Sequence, residues 1–322
     1  MSIISNCSEV SIRDAASALL KGNLVAFPTE TVYGLGGDAL NASAVDLIYH
    51  TKGRPKDHPL IVHISSTKHL DMWARNVPEY AIKLARSFWP GPMTLILQRT
   101  GLAKDYITGG QDNVGIRIPS HKVALALLSE FESQGGLGVA APSANRFGKL
   151  SPTSAADVQV ELINYLQPKD IILDGGQSSI GLESTIINCT QDTPIILRPG
   201  AITQKMVNLS LGKSFEVESN NNDIQVKTSG LLESHYSPTA RVFLAGIPKE
   251  GDGLIALASL STPPSVIRLA SPVNDEEFAA VLYQALRLAD LKKLDRVFVI
   301  PPTGEGIAIA INDRLRRCAF KG

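Results

Sequence analysis

Only three cysteines occur in 322 residues, Cys7, Cys189 and Cys318, and no two of them form a C-x-x-C pair. Their odd number and wide spacing exclude a disulfide framework and a zinc cluster built on cysteine pairs. Reduced thiols in a cytosolic protein are the expectation. Neither sign of charge is in excess, since Lys+Arg and Asp+Glu both number 31. The chain as a whole therefore makes no electrostatic case for nucleic acid or a membrane surface, and any polyanion site must be local. No apolar run approaches membrane-spanning length, and no basic stretch leads into an apolar segment at the N-terminus. A soluble, cytoplasmic protein without a membrane partner is expected. What the chain does have is 44% hydrophobic and 19% charged residues, the balance of a core-forming protein. Its length allows one large domain or two ordinary ones.

Apolar spacing predicts helices over Ser11–Gly22, Ala42–Tyr49, Glu79–Trp89, Val123–Phe131 and Ala155–Leu166. Short apolar runs at 60–64, 93–98, 114–119, 138–142, 171–174, 184–188 and 194–199 read as strands between them. The pattern is α/β, and hairpin-like pairs such as 184–188 with 194–199 argue for a mixed sheet. Near residue 205 the texture changes. "EVESNNNDIQVKTSG" (216–230) has three consecutive asparagines and no period, which is a linker composition. Beyond it, "RVFLA", "GLIALAS" and "SVIRLA" read as strands, followed by a helix over Asp275–Lys293, the strand "RVFVI" and a last helix over Gly306–Arg317. The organisation expected is a first domain over 1–205, a linker over 206–239 and a small α/β domain over 240–322.

Unusual residues concentrate at strand ends and turns of the first domain, where open α/β folds place their sites. "FPTETVYGLGGDAL" (27–40) follows the first strong strand, yet shows neither helix nor strand periodicity. Lys52, Arg54 and Lys56 stand at a helix end beside Gly53 and Pro55. Cations there are common for dipole reasons alone, but a guanidinium in a fixed turn also suits phosphate. His58 and His63 have no cysteine partners that would make them a metal site. Arg117 sits in the apolar strand "VGIRIP" and needs an anionic partner. That partner is either structural, Glu30 or Glu183, or a ligand carboxylate. "APSANRFGKLSPT" (141–153) and "GGQSSIGLESTI" (175–186) supply hydroxyls, amides and glycines that cap helices, build turns or contact a ligand. No P-loop, dinucleotide fingerprint or Ser-His-Asp spacing is present. From the residues alone, the chain is an α/β protein with an anion-binding concavity whose charge comes from Lys52, Arg54, Arg117 and Arg198.

Taken in order, "FPTETVYGLG", K-x-R at Lys52 and Arg54, "HPLIVHI", "WPGPMTLIL", "GIRIP", S-x-N at Ser143 and Asn145, and "ESTI" resemble the YrdC-type family. The match runs from about residue 10 to 205, and "SHYSP" (234–238) with the small domain behind it is similar to the long two-domain form. The resemblance implies a twisted mixed sheet with a large concave cleft, plus a smaller Rossmann-like C-terminal domain. It implies a nucleotidyltransferase that joins L-threonine, bicarbonate and ATP into threonylcarbamoyl-adenylate and pyrophosphate. A tRNA threonylcarbamoyl transferase would then use the product on adenosine 37 of tRNA, and weak affinity for tRNA itself is a further expectation.

By the same resemblance, Arg54, His58, Asn113, Ser143, Ser151, Arg198 and Tyr236 contact ATP. Thr31, His63, Arg117, the backbone at Ala141, and Ser184 hold threonine. Lys52 and Asn145, with Arg54 and Ser143, complete a polar tetrad at the phosphates. Magnesium arrives on the triphosphate, so no dedicated protein metal site is expected, and no enzyme nucleophile is needed. Two other classes compete. Carbamoyl-adenylate-forming maturation enzymes carry cysteine pairs that this chain lacks, and a non-catalytic RNA-binding module fits poorly with neutral charge.

Overall fold

The computed structural model describes residues 4–213 and 237–319. The N-terminal unit begins with β1 (Ile4–Ser5), α1 (Glu9–Leu20), β2 (Val25–Phe27), β3 (Gly34–Asp38), α2 (Ala42–Lys52) and β4 (Ile61–His63). It continues with α3 (Leu70–Trp73), α4 (Glu79–Phe88), β5 (Met93–Gln98), α5 (Asp105–Thr108), β6 (Asn113–Arg117) and α6 (Lys122–Ser133). β7 (Val139–Ala140), α7 (Ala155–Leu162), β8 (Ile171–Leu173), β9 (Thr185–Asn188), β10 (Ile195–Arg198) and α8 (Gln204–Leu211) complete it. Its sheet has ten strands in the order β1-β8-β2-β3-β7-β4-β6-β5-β9-β10 and mixes parallel with antiparallel pairs. The expected hairpin-like pair is β9 with β10, antiparallel.

Several segments differ from the sequence-based expectation. Gly34–Asp38, expected to lack strand character, is β3 and pairs antiparallel with both β2 and β7. Glycine hides the period because the neighbours leave no room for side chains. A Cβ on Gly36 would lie 2.8 Å from both Phe27 and Val139. Residues 206–211, expected in the linker, belong to α8, whose Thr203 side chain caps its N-terminus and whose Gly212 ends it in the left-handed region. α8 packs on α4, with Ser87 and Ser210 sharing a 2.8 Å hydrogen bond. α7 is also shorter than expected, and starts from a full capping box made by Ser154 and Asp157.

The C-terminal unit contains β11 (Arg241–Phe243), β12 (Gly253–Ile255), β13 (Ile267–Ala270), α9 (Asp275–Leu291), β14 (Arg296–Val299) and α10 (Ile307–Cys318). Its four strands are all parallel, in the order β11-β14-β12-β13. The core of this unit takes in residues of the first. Val32, Leu150 and Leu182 of the N-terminal unit are buried together with Phe278, Leu282 and Leu286 of α9. The approach is close enough that a Cβ on Gly181 would sit 2.5 Å from the Ala279 carbonyl.

Candidate active site

The segment after β2 folds around Thr29. Its hydroxyl donates to the Val32 carbonyl at 2.6 Å, so in the 2.8 Å contact with Thr31 Oγ1 it is Thr31 that donates. Both threonines are buried, and the oxygen of Thr31 keeps accepting capacity.

The basic turn follows α2, whose helix is stopped by Gly53 at φ 60°. Lys52 is buried, and its ammonium donates to the Ser143 and Asn145 carbonyls, both at 2.5 Å. Burial, with Arg54 close by, pushes its pKa well below the ordinary lysine value. Arg54 Nη2 donates to the Pro59 carbonyl at 3.0 Å, and its guanidinium lies 5.8 Å from the centre of the Phe147 ring. Lys56 turns away and pairs with Asp46 on the surface.

β4 and β6 run parallel in a register that pairs His63 with Arg117. Both side chains are buried. The His63 ring meets Phe27 edge-on at 6.1 Å, and its Nδ1 has no hydrogen-bond partner among the described residues. Burial first, then the Arg117 charge, push its pKa down to about 3, so the imidazole is neutral at physiological pH. Arg117 Nη2 donates to Glu30 Oε1 at 2.6 Å, while the other Glu30 oxygen accepts from the Ser120 backbone at 3.0 Å. Glu30, not Glu183, is thus the structural partner of Arg117. The Nε of Arg117 stays buried without a described partner.

The loop after β7 is held by its own polar groups. Ser143 donates to Asn145 Oδ1 at 2.5 Å, and the Asn145 amide donates to the carbonyls of Arg146 and Lys149 at 2.7 and 2.8 Å. Opposite, Arg198 donates through Nε and Nη2 to the carbonyl and hydroxyl of Ser184, each at 3.1 Å. Ser151 donates to Glu183 Oε1 at 2.6 Å. Burial opposes a charge on Glu183, but Arg314 and Arg198 beside it, with the Ser151 hydroxyl, hold its carboxyl down to about 2.

These pieces line a cleft with about 600 Å³ of space outside protein atoms, open solvent included. Of the residues singled out from sequence, Thr31, Lys52, Arg54, His63, Arg117, Ala141, Ser143, Asn145, Ser184 and Arg198 line it. His58 and Ser151 stand just behind the lining, His58 edge-on to Phe147 at 5.4 Å and Ser151 on Glu183. Asn113 begins β6, about 13 Å along the strand from Arg117. Tyr236 lies outside the described residues. Thr29, Tyr33 and Phe147 also line the cleft without having been singled out. Among the described residues, no group of three or more His, Cys, Asp or Glu side chains could hold a metal ion. No described helix is long and apolar enough to cross a membrane.

Comparison with known proteins covers nearly the whole chain. The Sua5_yciO_yrdC family model, described as telomere recombination, matches residues 17–200. The model for the threonylcarbamoyl-AMP synthase C-terminal domain matches residues 202–319. The threonylcarbamoyl-AMP synthase of Pyrococcus abyssi is 38% identical over 331 residues, covering 97% of this chain and 94% of that protein. The threonylcarbamoyl-AMP synthase of Bacillus subtilis is 38% identical over 328 residues, covering 96% and 92%. The crystal structure of P. abyssi Sua5 complexed with L-threonine superposes with a TM-score of 0.88 at 36% identity, covering 99% of this chain and 98% of that one. On this evidence the chain belongs to the Sua5–YciO–YrdC family, among its two-domain threonylcarbamoyl-AMP synthases.

Proposed function

We propose that this chain condenses L-threonine, bicarbonate and ATP into L-threonylcarbamoyladenylate with release of pyrophosphate. One observation carries the reading: three buried guanidiniums, Arg54, Arg117 and Arg198, line a single cleft together with threonine and serine hydroxyls. Buried positive charge at that density is matched to anionic ligands, and the substrates here are a carboxylate, bicarbonate and a triphosphate.

Arg117 takes the threonine carboxylate, its plane held by Glu30. Thr31 oxygen, the backbone at Ala141, Ser184 and the neutral His63 ring surround the rest of the amino acid. A neutral imidazole does not repel the substrate's ammonium, and its Nδ1 can accept a hydrogen bond from the amine. The deprotonated amine attacks the bicarbonate carbon, water leaves, and a carbamate forms. A carbamate oxygen then attacks the α-phosphorus of ATP, and pyrophosphate departs. Arg54, Arg198, Ser143, Ser151, His58 and Asn113 serve the nucleotide, while Lys52 and Asn145 hold the Ser143 loop in place. Magnesium enters on the triphosphate as part of the substrate. Charge neutralisation and positioning do the catalytic work, with no covalent enzyme intermediate.

The product is a mixed anhydride and is easily lost to water. By the family resemblance, a tRNA threonylcarbamoyl transferase uses it on adenosine 37 of tRNA in the cytoplasm; prompt use suits so labile a product, and weak tRNA affinity at the basic cleft would assist hand-over. Pyrophosphate release tests the reaction. Release should require both threonine and bicarbonate; release that proceeds without threonine, or only with carbamoyl phosphate, would point to the maturation-enzyme chemistry instead.

A further inference from the structure

Arg314 belongs to α10 of the C-terminal unit, is fully buried, and yet points its guanidinium at the wall of the cleft. Its Nε donates to Glu183 Oε2 at 2.8 Å, its Nη1 to Asp313 Oδ2 at 2.5 Å, a carboxylate that Arg317 also holds, and its Nη2 to the Pro199 carbonyl at 3.1 Å, one residue beyond Arg198. A second side chain from the same unit joins it. The Tyr283 hydroxyl, from α9, lies 3.2 and 3.1 Å from the two Glu183 oxygens. On the cleft side, Glu183 accepts from Ser151 and leads directly into Ser184, on which Arg198 is seated. Glu183 is therefore a buried junction between two segments far apart in sequence, and it is fastened from behind by the other unit.

We infer that Arg314 is a positioning residue for adenylate formation, acting through Glu183 on Ser151 and on the Ser184–Arg198 pair. This rests on the assignment of those residues to the ATP and threonine site. A buried carboxylate needs a cation and hydrogen bonds to remain charged. Arg198 is the other guanidinium close enough to act on Glu183. Without Arg314, the carboxylate draws Arg198 toward itself and off Ser184 while it is charged, and as pH falls it takes up a proton and loosens its hold on Ser151. Both outcomes move groups that face the substrates. The C-terminal unit thus completes the cleft wall through a named charge contact, besides packing against it.

The test is a set of variants in the full chain: Arg314→Met, Arg314→Lys, Tyr283→Phe, Glu183→Gln and the double variant Arg314→Met/Glu183→Gln. The readout is kcat/KM for ATP across pH, with thermal melting as the check on folding. Arg314→Met should lose about tenfold or more at pH 8, and its deficit should widen toward about pH 6 as the released carboxyl protonates. Arg314→Lys keeps the charge, so it should restore part of the activity and show a deficit that does not change with pH. Tyr283→Phe removes one hydrogen bond and should cost about two- to fivefold. The double variant should be no worse than Glu183→Gln alone, because both act along one route. An Arg314→Met deficit that is constant with pH, or losses that multiply in the double variant, would overturn the inference. If Arg314→Met does not fold, Arg314→Lys and Tyr283→Phe decide it, and unchanged kcat/KM in both overturns it. An inactive unmutated chain would instead refute the synthase assignment.

Discussion

Arg117 and Glu30 are joined by a 2.6 Å hydrogen bond in a buried pair, and the arginine's Nε has no partner among the described residues. The pair decides how Arg117 should be tested. Arg117→Ala leaves Glu30 buried without its cation and should destabilise the fold by about 3–5 kcal/mol. Arg117→Lys keeps the charge but loses the planar fork. It should fold, and calorimetry should show threonine affinity reduced about tenfold or more, since an ammonium cannot present two parallel donors to a carboxylate. Threonine amide should bind the unmutated protein poorly. Equal affinity for threonine and its amide would return Arg117 to a purely structural role.

Arg54 stands differently. It donates to the carbonyls of His58 and Pro59, at 3.4 and 3.0 Å. Arg54→Ala should melt close to the unmutated protein, with a loss of about 1 kcal/mol, and turn over about 10²-fold more slowly, the scale of a lost preorganised charge contact. Arg54→Lys should rescue little. Near-normal turnover in a folded Arg54→Ala protein rejects the phosphate assignment.

Lys52 should couple stability to activity in a way that Arg54 does not. Its ammonium ties two carbonyls of the Ser143 loop, and Lys52→Met strands both. Each buried unsatisfied carbonyl costs about 1–3 kcal/mol, so melting temperature and turnover should fall together. A Lys52→Met protein that is inactive but melts normally would make Lys52 a direct substrate contact rather than a loop tie.

His63 has a pKa of about 3 in the folded chain, against about 6.5 when unfolded. Between these values the unfolded chain binds the extra proton, so the folded state loses stability as pH falls below about 6.5, at up to about 1.4 kcal/mol per pH unit. Above about pH 7 the residue contributes no slope. His63→Gln removes the proton site and should flatten this acid loss. Denaturant melts of both proteins from pH 7 to pH 5 check it; parallel curves would mean that the ring is protonated inside the fold.

Much of this was legible in the sequence, for identifiable reasons. Met93–Gln98 is a strand with the bounds read from its apolar run, because that strand is buried along nearly its whole length. The cations of the cleft stood out because Arg117 breaks an apolar strand and Arg54 sits in a turn set by Gly53. β3 was hidden because close packing against Phe27 and Val139 requires glycine where a strand would show large residues. Strand order was hidden too, since β8 and β7 insert beside β2 and β4 from far along the chain. Arg314 gave no signal at all. In "INDRLRR" it reads as one more surface charge, and only the docking of α10 against Glu183 buries it.

The most direct measurement of the central claim is the identity of the product. The purified chain should be incubated with ATP, threonine and ¹³C-labelled bicarbonate, and the nucleotide fraction analysed by mass spectrometry. An adenylate carrying threonine and one labelled carbon should form in step with pyrophosphate. AMP or ADP alone, or a threonyl adenylate without the label, would contradict that claim.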